Sequence, residues 1–247
     1  DRAWRIATSG YPGPVHLSMP VDIMFSSFDE SSSDMERPFT RKEPKTYKAW
    51  PEPSALNEII GIIKSSKKPI IIGGHGIWWS KNEGLLKQVG DEIKIPIFNV
   101  PYHQKLLNEN CKAFLGLADV HQYHPSKFAF NESDCIIIVG GRLDNQMNFG
   151  NPPLFPASSR LICVNGSHEE IEFNRAADHL LLSDPGAFFE CLLESYNGDK
   201  FSLEKDWLAK NIEERKKWVT ASVNNLVETT NSPAWNGGKI HPLELSL

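Results

Sequence analysis

Lys68-Pro69-Ile70-Ile71-Ile72-Gly73-Gly74-His75-Gly76 is the stretch whose reading decides the fold. An unbroken apolar run is what a strand buried on both faces requires, because apolar and polar residues alternate only where one face meets water. The glycines that follow permit a tight turn and let the backbone come close to a neighbour or a ligand. The pattern recurs at Cys135-Ile136-Ile137-Ile138-Val139-Gly140-Gly141-Arg142. Further apolar runs occur at Pro96–Val100, Ala113–Leu117, Leu161–Asn165 and His179–Leu182. Six such runs, mostly separated by helix-length segments, predict an α/β fold with a doubly wound parallel sheet between residues 54 and 196. The helices expected are 54–65, opened by Ser54 with Leu56, Ile59, Ile60 and Ile63 on one face, then 80–93, 122–131, 168–174 and 185–195.

Outward from this core the pattern changes. Residues 1–10 read as the tail of a helix, Tyr11-Pro12-Gly13-Pro14 forces a turn, and Val15–Met19 alternates like a strand that Pro20 stops. One helix end and one strand cannot hide their apolar faces, so this segment is expected to belong to a sheet supplied from upstream. Residues 26–53 are rich in Ser, Asp, Glu, Lys and Pro and read as a surface linker. Residues 202–228 place Leu208, Ile212, Val219, Val223 and Leu226 at helical spacing, a long connecting helix. The division expected is therefore 1–25, the end of a preceding domain; 26–53, a linker; 54–196, the central domain; and 197–247, a connecting helix and an exit linker. Both ends read as unfinished.

Composition removes several classes. A formal charge of -5 over 247 residues leaves no basic stripe for a nucleic-acid backbone. The four cysteines, Cys111, Cys135, Cys163 and Cys191, form no C-x-x-C, which argues against a zinc knuckle or a disulfide scaffold and suits a reducing cytoplasm. No apolar run approaches the roughly 18 residues of a membrane span.

The residues that could carry chemistry sit where strands end. Gly73, Gly74, His75 and Gly76 follow the first central strand, where backbone N–H groups could meet a pyrophosphate; the spacing is not G-x-G-x-x-G, and a plain tight turn is the competing reading. Gly141 and Arg142 follow the fourth strand, and the arginine suits either a phosphate or a carboxylate at the sheet edge. Asn165 ends the fifth strand, where a carboxylate often meets a ribose hydroxyl. His121 and His124, three apart, could share a helix face and a metal, but a third ligand is not visible nearby and surface or capping roles are the simpler account. Trp78-Trp79 read as core or inter-domain packing rather than a stacking platform. Nucleophile elbows, P-loops and paired catalytic carboxylates are absent from the sequence.

Four stretches together resemble the thiamine-diphosphate (ThDP) enzyme superfamily, which includes acetolactate synthase, benzoylformate decarboxylase, oxalyl-CoA decarboxylase, 2-hydroxyacyl-CoA lyase and benzaldehyde lyase. Gly10-Tyr11-Pro12-Gly13-Pro14-Val15, continuing through Met19-Pro20-Val21-Asp22, is similar to the close of the family's pyrimidine-binding domain. Lys68–Gly76 resembles the opening strand and glycine turn of its middle domain, and Asp134–Asp144 with Asn148-Phe149-Gly150-Asn151-Pro152-Pro153-Leu154-Phe155 a later part of it. Ile240-His241-Pro242 looks like the entry to the diphosphate-binding domain.

The resemblance implies a Rossmann-like six-stranded middle domain from a lyase, decarboxylase or carboligase, acetolactate synthase-like, that acts on 2-keto acids or 2-hydroxyacyl substrates as a homodimer or homotetramer. ThDP and Mg²⁺ would be held by the other two domains, whose glutamate and Gly-Asp-Gly…Asn motif lie outside this chain, so the chain alone would be inactive. Middle domains of the family bind FAD, ADP or nothing. Arg142 matches the arginine that lies along the nucleotide, and Gly73–Gly76 the phosphate-side loop. This chain departs from the pattern at Val164-Asn165-Gly166-Ser167, where the family often has Ile-Asp-x-Asp. A standalone or degenerate nucleotide-binding module without thiamine chemistry is the alternative.

Overall fold

The computed structural model describes residues 2–10, 12–27, 48–101, 106–108, 110–121, 124–171, 174–196 and 201–230. The chain runs α1 (Arg2–Thr8), α2 (Val21–Met24), α3 (Pro53–Ser65), β1 (Pro69–Gly73), α4 (His75–Trp79), α5 (Glu83–Ile93), β2 (Ile97–Asn99), β3 (Phe114–Leu117), α6 (His124–Glu132), β4 (Cys135–Val139), β5 (Arg160–Asn165), β6 (His179–Leu182), α7 (Pro185–Tyr196) and α8 (Trp207–Thr230). The six strands pair in parallel in the order β3-β2-β1-β4-β5-β6. This is the doubly wound, Rossmann-like arrangement expected from the apolar runs, and every run became a strand.

Alternate strand residues feed opposite faces of the sheet. Ile71, Ile97, Ile137, Ile162 and Val164 pack beneath α3, α5 and α7 through Ile59, Ile63, Leu86, Val89, Phe188 and Phe189. Ile70, Ile72, Phe98, Ile136, Ile138 and Leu161 pack on the other side against Phe130, Phe155 and Trp207. A strand covered on both faces has no polar position to offer, and β1 and β4 are buried at every residue. The Trp207 indole N–H, sealed in the second cluster, donates to the Pro69 carbonyl at 3.0 Å, which ties the connecting helix α8 to the start of β1.

Helix boundaries correct the sequence reading in three places. Helix α3 is capped by Glu52, whose carboxylate accepts from the Ser54 and Ala55 amides, so Ser54 lies inside the helix instead of opening it. The expected helix 80–93 begins three residues late, as α5 at Glu83, because Ser80–Asn82 form a turn in which Lys81 adopts a φ of 55°; the short α4 before that turn was not expected. The expected helix 168–174 is a single 3-10 turn, His168–Glu170, followed by extended Ile171. Val15–Met19, expected to pair with strands outside this chain, joins no ladder among the described residues and is exposed, Leu17 and Met19 most of all. Most of the expected linker and the Ile240-His241-Pro242 stretch lie outside the described residues. The end of the linker docks, since the Asp184 amide donates to the Ala49 carbonyl at 2.8 Å.

Candidate functional site at the strand switch

β1 sits between β2 and β4, and the strand order reverses there: β2 and β3 continue on one side, β4 to β6 on the other. At such a switch the two βα turns diverge from the sheet edge and leave the crevice where ligands of doubly wound proteins collect. The turn after β1 carries Gly73, Gly74, His75 and Gly76; the turn after β4 carries Gly140, Gly141 and Arg142.

The structure presses these turns together. The Gly74 amide donates to the Val139 carbonyl and the Gly76 amide to the Gly140 carbonyl, both at 2.8 Å. A Cβ on Gly74 would lie 2.2 Å from the Gly141 Cα, and one on Gly76 2.9 Å from the Gly140 Cα. Gly140 has a φ of +62°, a conformation that costs glycine little. The glycines are therefore needed for contact between one turn and the other. The Gly74 and Gly76 amides, read from sequence as donors for a pyrophosphate, have protein acceptors. Gly73 is enclosed, with Leu106 and Ile77 where a side chain would go.

Arg142 is clamped. Its Nε and one Nη donate to the two carboxylate oxygens of Glu170 in a forked pair. The Glu170 side chain is 4% exposed and that of Arg142 41%. Of the two readings of Arg142, phosphate or carboxylate at the sheet edge, the structure displays the carboxylate. Asn165, buried at the end of β5, accepts the Ser167 amide at 3.2 Å through Oδ1, a local turn.

Of the two packing roles expected for Trp78-Trp79, core and inter-domain, exposure removes the first. Trp78 and Trp79 are 36% and 43% exposed, hence not core, and with His75 form a cluster with ring centroids 4.9 to 5.7 Å apart. Burial pushes the His75 imidazole below its usual value near 6.5, so it is neutral at pH 7. His121 precedes helix α6 and its ring contacts the Asn145 carbonyl at 3.2 Å, while His124 begins that helix; the two do not share a helix face. Among the described residues, three or more His, Cys, Asp or Glu do not gather into a possible metal site. They include no helix long and apolar enough to cross a membrane.

Two residues of this region escaped the sequence reading. Glu170 had a signal in Ser167-His168-Glu169-Glu170, the S-x-x-E of a turn that opens a helix, but nothing local announced a partner 28 positions upstream. Asn99, at the end of β2 and in register with Gly73, is 3% exposed and its Oδ1 has no hydrogen-bond partner.

Residues 56–192, more than half of the chain, match the family model described as thiamine pyrophosphate enzyme, central domain. The chain belongs to that family. The chain is 26% identical over 234 residues to a probable acetolactate synthase large subunit of Methanococcus aeolicus, covering 92% of this chain and 37% of that protein. It is 27% identical over 208 residues to a 2-hydroxyacyl-CoA lyase of Arabidopsis thaliana, covering 81% and 34%. The fold also matches the crystal structure of benzoylformate decarboxylase from Polynucleobacter necessarius, at a TM-score of 0.62 and 19% identity over 83% of this chain and 36% of that one. The chain thus spans about a third of the length of these relatives.

Proposed function

We propose that this central domain belongs to a ThDP- and Mg²⁺-dependent lyase, decarboxylase or carboligase, acetolactate synthase-like, acting on 2-keto acids or 2-hydroxyacyl substrates. The observation that carries the reading is the family match over residues 56–192, laid on a sheet with the doubly wound strand order. The named relatives, an acetolactate synthase and a hydroxyacyl-CoA lyase, support the substrate class. ThDP, when bound, supplies an electron sink for the carbanion formed next to a carbonyl. The domain is read as a scaffold, with ThDP and Mg²⁺ assigned to the other two domains of the parent.

Within that scaffold the chain's own residues have a mechanical task. Trp207 pins the connecting helix to β1, the central strand of the sheet, and the buried stem of α8 sets the direction in which the chain leaves the domain. The half-exposed Trp78 and Trp79 offer an aromatic face beside the strand switch for a neighbouring domain. The parent is proposed to be a cytoplasmic homodimer or homotetramer.

The test is turnover. The full-length protein, assayed with 2-keto acids and 2-hydroxyacyl-CoAs, is expected to release carbon dioxide or aldehyde only when ThDP and Mg²⁺ are present, and residues 1–247 alone to release neither. Product formation by the full-length protein after both are stripped would sink the reading, as would product from the isolated chain.

A further inference from the structure

We infer that the strand switch of this domain is closed to nucleotide diphosphates, and that Glu170 closes it by withholding Arg142. Related middle domains hold FAD or ADP, so the residues here can be tested against that group. They do not fit it.

A diphosphate at a strand switch needs three things from the protein: backbone amides aimed outward, open space in front of the glycines, and a cation able to reach the phosphate oxygens. The Gly74 and Gly76 amides are engaged by the Val139 and Gly140 carbonyls, and the Gly140 amide by the Val164 carbonyl, all at 2.8 Å. The space in front of Gly74 holds the opposite turn, with the Gly141 Cα 2.2 Å from where a Cβ would stand. Helix α4, which follows the turn, is five residues long and brings little dipole. Asn165 turns its Oδ1 back on the Ser167 amide, away from the role of a ribose carboxylate. Asn99, whose buried Oδ1 has no partner at this edge, is neutral and brings no positive charge to a phosphate.

Glu170 decides the outcome. Its carboxylate is almost wholly buried and depends on the two guanidinium donors of Arg142. Drawing Arg142 towards a phosphate would leave that carboxylate buried and uncompensated, a penalty larger than the pair's own net worth. The phosphate would meet a guanidinium already neutralised and would bring a second anion beside Glu170. Arg142 is therefore half of a lock between the exits of β4 and β5, and the glycines seal the turn beside it.

The experiment is a calorimetric titration of the intact protein with ADP and with FAD, independent of any turnover assay, so that failure of the ThDP reading and failure of this inference are told apart. Wild type is expected to show no saturable binding below about 1 mM that depends on Arg142. Glu170→Gln, which keeps the shape and removes the charge, is expected to bind ADP with a Kd about tenfold below that 1 mM limit, a gain lost again in the Glu170→Gln, Arg142→Met double variant. Binding by wild type that Arg142→Met leaves unchanged places the nucleotide elsewhere and upholds the lock. Wild-type binding weakened tenfold or more by Arg142→Met overturns it, and so does a folded Glu170→Gln with no gain. If Glu170→Gln does not fold, the wild-type and Arg142→Met titrations decide alone, with Arg142→Lys in place of Met if that variant is also lost.

Discussion

Replacing Gly74 with alanine adds a single methyl group at the tightest point of the domain. That methyl would stand 2.2 Å from the Gly141 Cα, 2.3 Å from the Gly140 carbonyl oxygen and 2.5 Å from its carbon, all backbone atoms with no rotamer to yield. The two turns must separate by more than an ångström, which stretches the Gly74 to Val139 and Gly76 to Gly140 hydrogen bonds beyond use. Forced overpacking costs about 1 to 3 kcal/mol and each of the two lost hydrogen bonds about 1, so Gly74→Ala should destabilise by roughly 3 to 5 kcal/mol. For a domain of this size that is a fall in Tm of about 10 °C. Gly84→Ala and Gly61→Ala are the controls: each lies within a helix, α5 and α3, and nothing stands within 4 Å of the added methyl. They should gain about 0.5 to 1 kcal/mol through helix propensity. Thermal melts of the three variants against wild type give the answer. A Gly74→Ala protein melting within about 2 °C of wild type would refute the interlocked turns.

Three further outcomes are expected. Trp207→Phe removes the indole donor from the Pro69 carbonyl and leaves a void in the second core cluster, lowering stability by about 2 kcal/mol in urea titration; an unchanged midpoint would show that α8 is not anchored there. Of the four thiols, Cys111, Cys135 and Cys163 are buried and Cys191 is half-buried, so a disulfide reagent at pH 8 should modify Cys191 first, and Cys191→Ser should abolish the fast phase. Burial pushes the Cys135 thiol up to about 12 from its ordinary value near 9. The folded state thus keeps a proton the unfolded chain gives up, so its contribution is complete below pH 9 and is lost at roughly 1 kcal/mol per pH unit between pH 9 and 12. Cys135→Ala should flatten that part of the stability profile, and an unaltered slope would assign it to other groups.

The apolar runs carried the fold by themselves. A strand buried on both faces has to be apolar at every position, so Pro69–Gly73 and Cys135–Val139 were legible without knowledge of their neighbours, and the glycines after them marked where the chain turns. The family was legible from the same stretches together with Gly10–Asp22. Helix ends were less so, because a cap depends on which side chain turns back: Glu52 rather than Ser54 caps the start of α3, and Lys81 in the left-handed region delays the start of α5 to Glu83. Only the tertiary structure decided what the site residues touch. Parallel strands bring Gly74 against Gly141 and Arg142 against Glu170 across 67 and 28 positions of chain, and no local periodicity encodes such a meeting. Glycine reads the same whether a phosphate or another backbone comes close, and arginine the same whether its partner is a ligand or a buried carboxylate. The choice between them rests on the space and charge left once the sheet has closed.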